Sequence, residues 1–237
     1  MRRLVRTLAA AILLLPAYAL LAYVVLPASW SGYERLVRRT DARITHTAEG
    51  IPADPLNVAL IGEEGQIVEA MRASGWTRAD RITWRSGLKD AASVLFDRPY
   101  TSAPMSTHFL ENRPQDLAFE RLEGRSPRAR HHVRLWRLAD SDGGRATWIG
   151  SATFDRSVGL SRYTGEVMHH IDPNVDAERG KLFADLFDAG RLARTDCVAG
   201  FLPPGSGRNG GGDAYITDGR LCVGLLGTDV PASELHK

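Results

Sequence analysis

Two pairs of adjacent histidines, His131-His132 and His169-His170, are the residues of this sequence best suited to chemistry. Histidine normally titrates near neutral pH and is a frequent metal ligand. Together with aspartates, such pairs could transfer protons or hold a divalent cation. The candidate catalytic residues are therefore His131, His169 and Asp155, and the candidate metal ligands are His131, His169, His170 and Asp172.

The same histidines also allow a structural interpretation. No spacing among them matches a recognised zinc motif such as His-Glu-x-x-His, which weakens the metal hypothesis. If the strands that carry them form a simple meander, His131 lies near Asp155, whereas His169 lies two strands away. A buried, hydrogen-bonded histidine without a catalytic role is the alternative for the inner residue of each pair.

Basic side chains alternate along the strand predicted over residues 131–138. Alternate residues of a strand share a face, so His131 is predicted to point inward. The outward face comprises Arg128, Arg130, His132, Arg134 and Trp136. Arginines hold phosphates and carboxylates through paired charged hydrogen bonds, which makes Arg128, Arg130 and His132 candidate substrate-binding residues. An exposed sheet face covered by solvated arginines is the alternative.

A glycine-rich segment at residues 205–213 is a second candidate binding site. Consecutive glycines let backbone N–H groups approach an anion closely, and Arg208, Asn209 and Asp213 belong to this segment. It lacks the Lys-Ser/Thr ending of a P-loop, which argues against nucleotide binding. A flexible surface turn explains it equally well. Because no Gly-x-Ser-x-Gly elbow occurs, a serine or cysteine nucleophile is not predicted.

An uncharged N-terminal stretch predicts a membrane helix. Residues 7–33 carry no charged side chain, and a helix over residues 8–26 would nearly cross a hydrocarbon core of about 30 Å. We expect a single-pass anchor within residues 1–30, in contact with membrane lipid. A signal peptide cleaved at Ala17-Tyr18-Ala19 is the alternative. The basic start resembles a signal n-region and favours an extracytoplasmic domain, although arginines follow the helix as well.

The charge balance argues against a nucleic-acid partner. The chain has 30 Lys plus Arg and 28 Asp plus Glu, and three of the arginines precede the apolar stretch, so the remainder is near neutral. Two cysteines, Cys197 and Cys222, could form a disulfide in an oxidising compartment or remain as buried free thiols.

The remaining pattern predicts one domain over residues 55–227. Strands are expected at 56–61, 131–138, 146–154 and 165–171, helices near 67–74 and from Asp172-Pro173 to Gly190, and a final hairpin at 214–226. Residues 31–54 are predicted to be a charged stalk, 100–128 a long loop, and 228–237 a flexible tail. The fold class is α+β, mainly antiparallel sheet with packed helices, preceded by one transmembrane helix.

Several motifs together resemble the LssY C-terminal domain family. They are Arg113-Pro-Gln-Asp-Leu-Ala-Phe119, Arg130-His-His-Val-Arg134, Ala152-Thr-Phe-Asp155, His169-His-Ile-Asp-Pro173 and Arg208-Asn-Gly-Gly-Gly-Asp213. Such domains occur alone or attached to membrane proteins of the DedA and lipid-phosphatase types. The resemblance therefore implies a domain boundary and a membrane setting, and it implies no activity.

Two classes of function fit these residues. The first is a hydrolase that acts on an anionic phosphoester or acyl substrate of the cell envelope, a small molecule or a lipid, with histidines as acid and base and a divalent metal as a conceivable cofactor. The second is a non-catalytic envelope module that binds a ligand or a partner and is linked to membrane transport or secretion.

Overall fold

The computed structural model describes residues 13–30, 43–80, 105–124, 129–139 and 144–227. An N-terminal helix, α1 (Leu13–Trp30), contains one π-helical turn at Leu21–Val25. The elements that follow are, in chain order, β1 (Ile44–His46), β2 (Pro52–Pro55), β3 (Val58–Ile61), α2 (Glu64–Ala73), β4 (Thr77–Arg78), β5 (Phe109–Leu110), β6 (Arg113–Pro114), β7 (Leu117–Leu122), β8 (Arg130–Arg137), β9 (Thr147–Leu160), β10 (Val167–Ile171), α3 (Val175–Asp188), β11 (Leu192–Val198), β12 (Gly205–Arg208), β13 (Ala214–Thr217) and β14 (Leu221–Leu226).

An eight-stranded sheet forms the body of the domain. Its order is β11-β14-β3-β9-β8-β7-β4, and β10 pairs with the second half of β9. All of these pairings are antiparallel except the one between β14 and β3. The predicted α+β class, with a mainly antiparallel sheet and packed helices, broadly agrees with this layout.

Both helices of the domain cover one face of this sheet. Helix α2 begins with a capping box between Glu63 and Gln66, and helix α3 begins after Asn174, whose side chain accepts a hydrogen bond from the backbone N–H of Ala177. The predicted start at Asp172-Pro173 was therefore two residues early. The helices bury their apolar sides against the inner residues of β3, β7, β8 and β9, and this closes the main core.

A small sheet covers the other face. Its strand order is β2-β1-β5-β6, and it packs through Leu56, Leu110 and Trp136. Strand β1 and all but the last residue of β2 lie within residues 31–54, which the sequence had predicted as a stalk. Residues 31–42 fall outside the described part. The segment folds because Ile51, Ala53 and Asp54 are buried against the domain.

One asparagine joins two strands that share the same side of β9. Strand β3 pairs with residues 147–150 of β9, and β10 pairs with residues 155–160. Between them, the side-chain amide of Asn57 donates to the carbonyl of Ala152, and its oxygen accepts from the N–H of Ala152. Asn57 is fully buried and also donates to the carbonyl of Val175. It thereby satisfies the backbone of β9 where neither strand reaches.

Two further predictions are wrong and one lies outside the described residues. The final hairpin does not form, because β13 pairs with β12 in a separate sheet while β14 joins the main sheet. The long loop predicted at 100–128 contains β5, β6 and β7. The predicted tail, residues 228–237, is not described.

The N-terminal helix has the length and composition that a membrane span needs. Its 18 residues would rise about 27 Å at 1.5 Å per residue, close to the thickness of a hydrocarbon core. Most of its large apolar side chains are exposed, including Leu13, Leu14, Leu15 and Leu20. The helix is thus consistent with a single-pass anchor, although a signal sequence would have the same features.

Cys197 and Cys222 form a disulfide between neighbouring strands. They are paired directly in the register of β11 and β14. The bond closes a loop with a sequence separation of 25 residues and fixes β11 at the edge of the main sheet.

We predict that the double substitution Cys197→Ser and Cys222→Ser lowers the free energy of unfolding by about 3 kcal/mol, because the unfolded chain gains the entropy of an open loop. Thermal unfolding with and without dithiothreitol measures this effect. The wild type should lose stability on reduction, and the double variant should not respond. An equal response of both proteins to the reductant would show that the bond does not stabilise the fold.

Candidate functional site

Strand β8 is buried on both faces, and this fact defines the candidate site. His131 and Val133 point towards the helices, whereas Arg130, His132 and Arg134 point towards the small sheet, and all five are buried. The predicted alternation is right, but the predicted exposure of the even face is wrong. The small sheet covers that face, so the solvated-arginine alternative does not hold for Arg130 and Arg134. Arg128 lies outside the described residues.

A pocket of about 1060 Å³ lies between the even face of β8 and the small sheet. Its ionisable lining residues are Glu49, Asp54, His108, Arg130, His132, Arg134, Asp155, Glu166 and His169. Its apolar lining includes Met105, Val158, Val167 and Met168. The pocket therefore combines charged groups of both signs with an apolar wall, as a site for an amphiphilic ligand requires.

Asp155 and His132 form the centre of one polar group in this pocket. The Nδ1 atom of His132 lies 3.1 Å from Oδ2 of Asp155, and its ring centroid lies 6.4 Å from that of His169. Within the described chain neither ring nitrogen of His132 has a hydrogen bond of good geometry. Burial raises the pKa of Asp155 to about 7, against the opposing charges of Arg134 and Arg130. Burial lowers the pKa of His132 well below 6.5, and Arg134 lowers it further.

Arg130 and Glu120 extend this group deeper into the sheet. A guanidinium nitrogen of Arg130 lies 3.7 Å from Oε2 of Glu120, and the same carboxylate oxygen lies 3.9 Å from Nε2 of His132. Both Arg130 and Glu120 are almost fully buried. Glu120 is placed there by the register of β7 and β8, which pairs it with His132.

A second polar group surrounds Arg134. Its guanidinium donates to Oδ2 of Asp54 at 3.1 Å and to the hydroxyl of Ser106 at 3.1 Å. Nε2 of His108 lies 3.4 Å from the Ser106 hydroxyl, and Nδ1 of His108 lies 3.4 Å from Oδ2 of Asp54. Nδ1 is also 3.4 Å from the hydroxyl of Thr45. A serine, a histidine and an aspartate thus form a chain of polar contacts within one wall of the pocket.

The ionisation of this second group is set mainly by burial. Burial lowers the pKa of His108 well below 6.5, and the positive charge of Arg134 lowers it further. Burial also raises the pKa of Asp54 to about 6, although Arg134 opposes the shift. His108 is therefore neutral at pH 7, and Asp54 is largely ionised.

His131 lies on the opposite face of the sheet from this pocket. Its Nδ1 is 2.8 Å from Glu178 on α3, and its Nε2 is 2.7 Å from Glu123. Burial alone would lower the pKa of His131, but the hydrogen bonds and charges of the two glutamates outweigh it and raise that pKa. His131 thus links β8 to α3, and the structure does not bring it together with Asp155 and His169.

The glycine-rich segment contributes backbone and one side chain to the pocket wall. Asn209, Gly210 and Gly211 line the pocket, whereas the Arg208 guanidinium donates to the carbonyl of Gly212. The N–H of Gly210 donates to the carbonyl of Pro52, and the N–H of Gly211 donates to Oδ1 of Asn209. Because these two N–H groups already donate hydrogen bonds within the protein, they do not form the predicted anion-binding loop.

Two further predicted metal ligands, His170 and Asp172, make hydrogen bonds with neighbouring parts of the chain. Nδ1 of His170 lies 2.8 Å from Oδ1 of Asp213, and the other carboxylate oxygen of Asp213 accepts from the N–H of Ile171. Asp172 accepts from the N–H of Asn174 just before α3. Within the described ranges, no group of three or more His, Cys, Asp or Glu side chains is arranged to hold a metal ion. The four predicted ligands are therefore not brought together.

Sequence reasoning missed Asp54, Ser106, His108 and Glu120. Asp54 was assigned to a stalk, Ser106 and His108 to a long loop, and Glu120 to that same loop. The signal that could have found Ser106 and His108 is their spacing of two residues, which puts both side chains on one side of an extended segment. Nothing in the sequence places Asp54 opposite them.

The comparisons with known proteins identify a family and no activity. A family model described as LssY C-terminus matches residues 34–221. No curated protein and no solved structure matches the chain.

We predict that Asp155→Asn changes the pH dependence of stability. Unfolded Asp155 ionises near its ordinary pKa of about 3.9, whereas the folded protein holds the proton until about pH 7. The stability that the proton confers is thus complete below about pH 4 and is lost as the pH rises to about 7. Asparagine carries no such proton.

The measurement is urea unfolding of both proteins at several pH values. The free energy of unfolding of Asp155→Asn, relative to wild type, should rise between pH 4 and pH 7. A difference that stays constant across this window would contradict the assigned ionisation.

Proposed function

We propose that this chain, which belongs to the LssY C-terminal domain family, hydrolyses an anionic ester. The family description names no activity, so the proposal rests on the pocket alone. The observation that carries the proposal is the arrangement of Ser106, His108, Asp54 and Arg134 in one pocket wall. It contains an attacking group, a base, an acid that orients the base, and a cation.

His108 is the base in this proposal. Being neutral at pH 7, it can accept the hydroxyl proton of Ser106 on Nε2 while Nδ1 faces Asp54. Both distances are 3.4 Å, and such contacts commonly shorten when a substrate binds. The freed Oγ attacks the carbonyl carbon or phosphorus of the ester, and the leaving alcohol takes the proton back from His108. Water then releases the acid from Ser106 by the same route.

Arg134 supports the anionic character of the substrate. It stands 3.1 Å from the Ser106 hydroxyl, so its charge stabilises negative charge that develops on the attacked group. Arg130 and His132 lie further along the same strand face and lie in the same pocket. A phosphate or carboxylate of the substrate can accept further hydrogen bonds from these guanidinium groups, which carry five N–H donors each.

The apolar wall supports an amphiphilic substrate. Met105, Val158, Val167 and Met168 form part of the lining of the same pocket as the polar groups. A pocket volume of about 1060 Å³ exceeds what a small anion needs. We therefore expect acyl chains or a comparable apolar portion on the substrate.

We predict that Ser106→Ala lowers kcat/KM for an anionic ester by at least about 100-fold, the usual scale for removal of a group that transfers protons or attacks. The assay uses the full chain in detergent with dihexanoylphosphatidylglycerol. Release of hexanoate would show acyl cleavage, and release of a phosphate ester would show phosphoester cleavage. A fluorophosphonate probe should label Ser106 in the wild type and leave Ser106→Ala unlabelled.

The matched controls use the two histidines of β8. His131→Gln should retain kcat/KM within about threefold below its unfolding temperature, because His131 faces the helices and its role is to link them to the sheet. If Ser106→Ala retains activity and no labelling occurs while His132→Gln abolishes turnover, the attacking group is a water activated near Asp155. If the wild type and all variants bind the ligand without turnover, the result supports the alternative function, a non-catalytic binding module.

We predict that the acid limb of kcat/KM lies below pH 6.5. Burial keeps His108 neutral at pH values where an exposed histidine is already protonated. A pH profile of the wild type between pH 4.5 and pH 8.5 measures this limb. A limb at or above pH 6.5 would contradict His108 as the base.

A further inference from the structure

A β-hairpin connects the N-terminal helix to the pocket. It comprises the end of β9, the turn at residues 161–166 and the start of β10. The hydroxyl of Tyr18 donates to the carbonyl of Gly165, and the N–H of Val167 donates to the hydroxyl of Tyr23. The Trp30 ring stacks on Tyr163 with centroids 4.3 Å apart. The hairpin therefore lies against the helix from Tyr18 to its end.

Three large apolar side chains of this hairpin are exposed. Leu160 is 58% exposed, Tyr163 38% and Val167 57%. Large apolar side chains that cluster on a surface mark an interaction site more often than isolated ones do. The cluster lies beside α1, which itself exposes most of its apolar side chains.

Basic residues flank this cluster. Arg156 and Arg162 are exposed on the same hairpin. The acidic side chain at its turn, Glu166, accepts a hydrogen bond from the Thr164 hydroxyl. Apolar and aromatic side chains bordered by arginines match a membrane interface with anionic headgroups.

The hairpin also forms part of the pocket wall. Its lining residues include Val158, Ser161, Thr164, Glu166, Val167 and Met168, so Val167 is both exposed and part of the pocket lining. The turn is also tied to the glycine-rich segment, because the N–H of Arg162 donates to the carbonyl of Gly211. A single hairpin thus contacts both the pocket and the membrane helix.

We propose that the hairpin tip, centred on Leu160, Tyr163 and Val167, inserts into the lipid interface next to the N-terminal helix and that the pocket takes its substrate from the bilayer. The second half of the proposal rests on the proposed hydrolase function and names its substrate class, an anionic amphiphile resident in the membrane. The first half depends only on the hairpin.

Insertion is tested with the full chain in vesicles of phosphatidylcholine and phosphatidylglycerol. Leu160→Trp adds a fluorophore at the tip, and Phe187→Trp adds one at an equally exposed site on α3, where Phe187 is 52% exposed. After subtraction of the wild-type signal, lipids brominated near the headgroup end of the acyl chain should quench the tryptophan at 160 several-fold more than that at 187. Equal quenching overturns insertion.

Substrate entry is tested with Leu160→Asp and its matched control Phe187→Asp. Leu160→Asp should lower hydrolysis of dioleoylphosphatidylglycerol in vesicles by at least tenfold and leave hydrolysis of soluble dihexanoylphosphatidylglycerol within about twofold. Phe187→Asp should change neither rate. An equal loss on both substrates overturns the bilayer route. If the wild type hydrolyses neither substrate, the proposed function and the bilayer route both fail, while the quenching result still decides insertion.

Discussion

The burial of charged side chains on both faces of β8 is the constraint on which this domain depends. Arg130 and Arg134 cannot leave water without acidic partners, because an uncompensated buried charge costs several kcal/mol. Their counter-charges come from two directions: Glu120 from β7 and Asp54 from the small sheet. The small sheet is therefore more than a cover, since it supplies the carboxylate that makes the burial of Arg134 tolerable. The pocket lies where these contributions meet.

The local elements of the fold could be predicted from the sequence, and their partners could not. Helices α2 and α3 and strands β8 and β9 follow from periodicity and from glycine stops such as Gly190. The pairing of β14 with β3 joins residues that are far apart in sequence, and no turn signal reports it. The Asp218-Gly219 turn predicted a hairpin between the two neighbouring strands. Gly219 instead packs against the backbone of Leu202, so closely that a Cβ added at Gly219 would lie 2.3 Å from the Leu202 carbonyl oxygen. Long-range packing decided that turn.

The candidate site shows the same division in chemical terms. Alternation correctly separated His131 from His132, but it could not tell which face another layer covers. The predicted outward face became a pocket floor because a segment with few apolar residues, 43–55, folded over it. Asp155 and His169 were identified by type, and both line the pocket. Asp54 was missed because it meets Ser106 and His108 only through the pairing of β1 with both β2 and β5, which sequence spacing does not report.

Gly210 determines how closely two walls of the pocket approach each other. Its N–H donates to the carbonyl of Pro52 at 2.5 Å, and a Cβ at this position would lie 1.7 Å from Cγ2 of Ile51. The small sheet and the glycine-rich segment are therefore held together by bare backbone, with no side chain as a spacer. The direct contact of these two backbone segments therefore sets the width of the cavity at this point. A methyl group at position 210 would push the segments apart and enlarge the cavity.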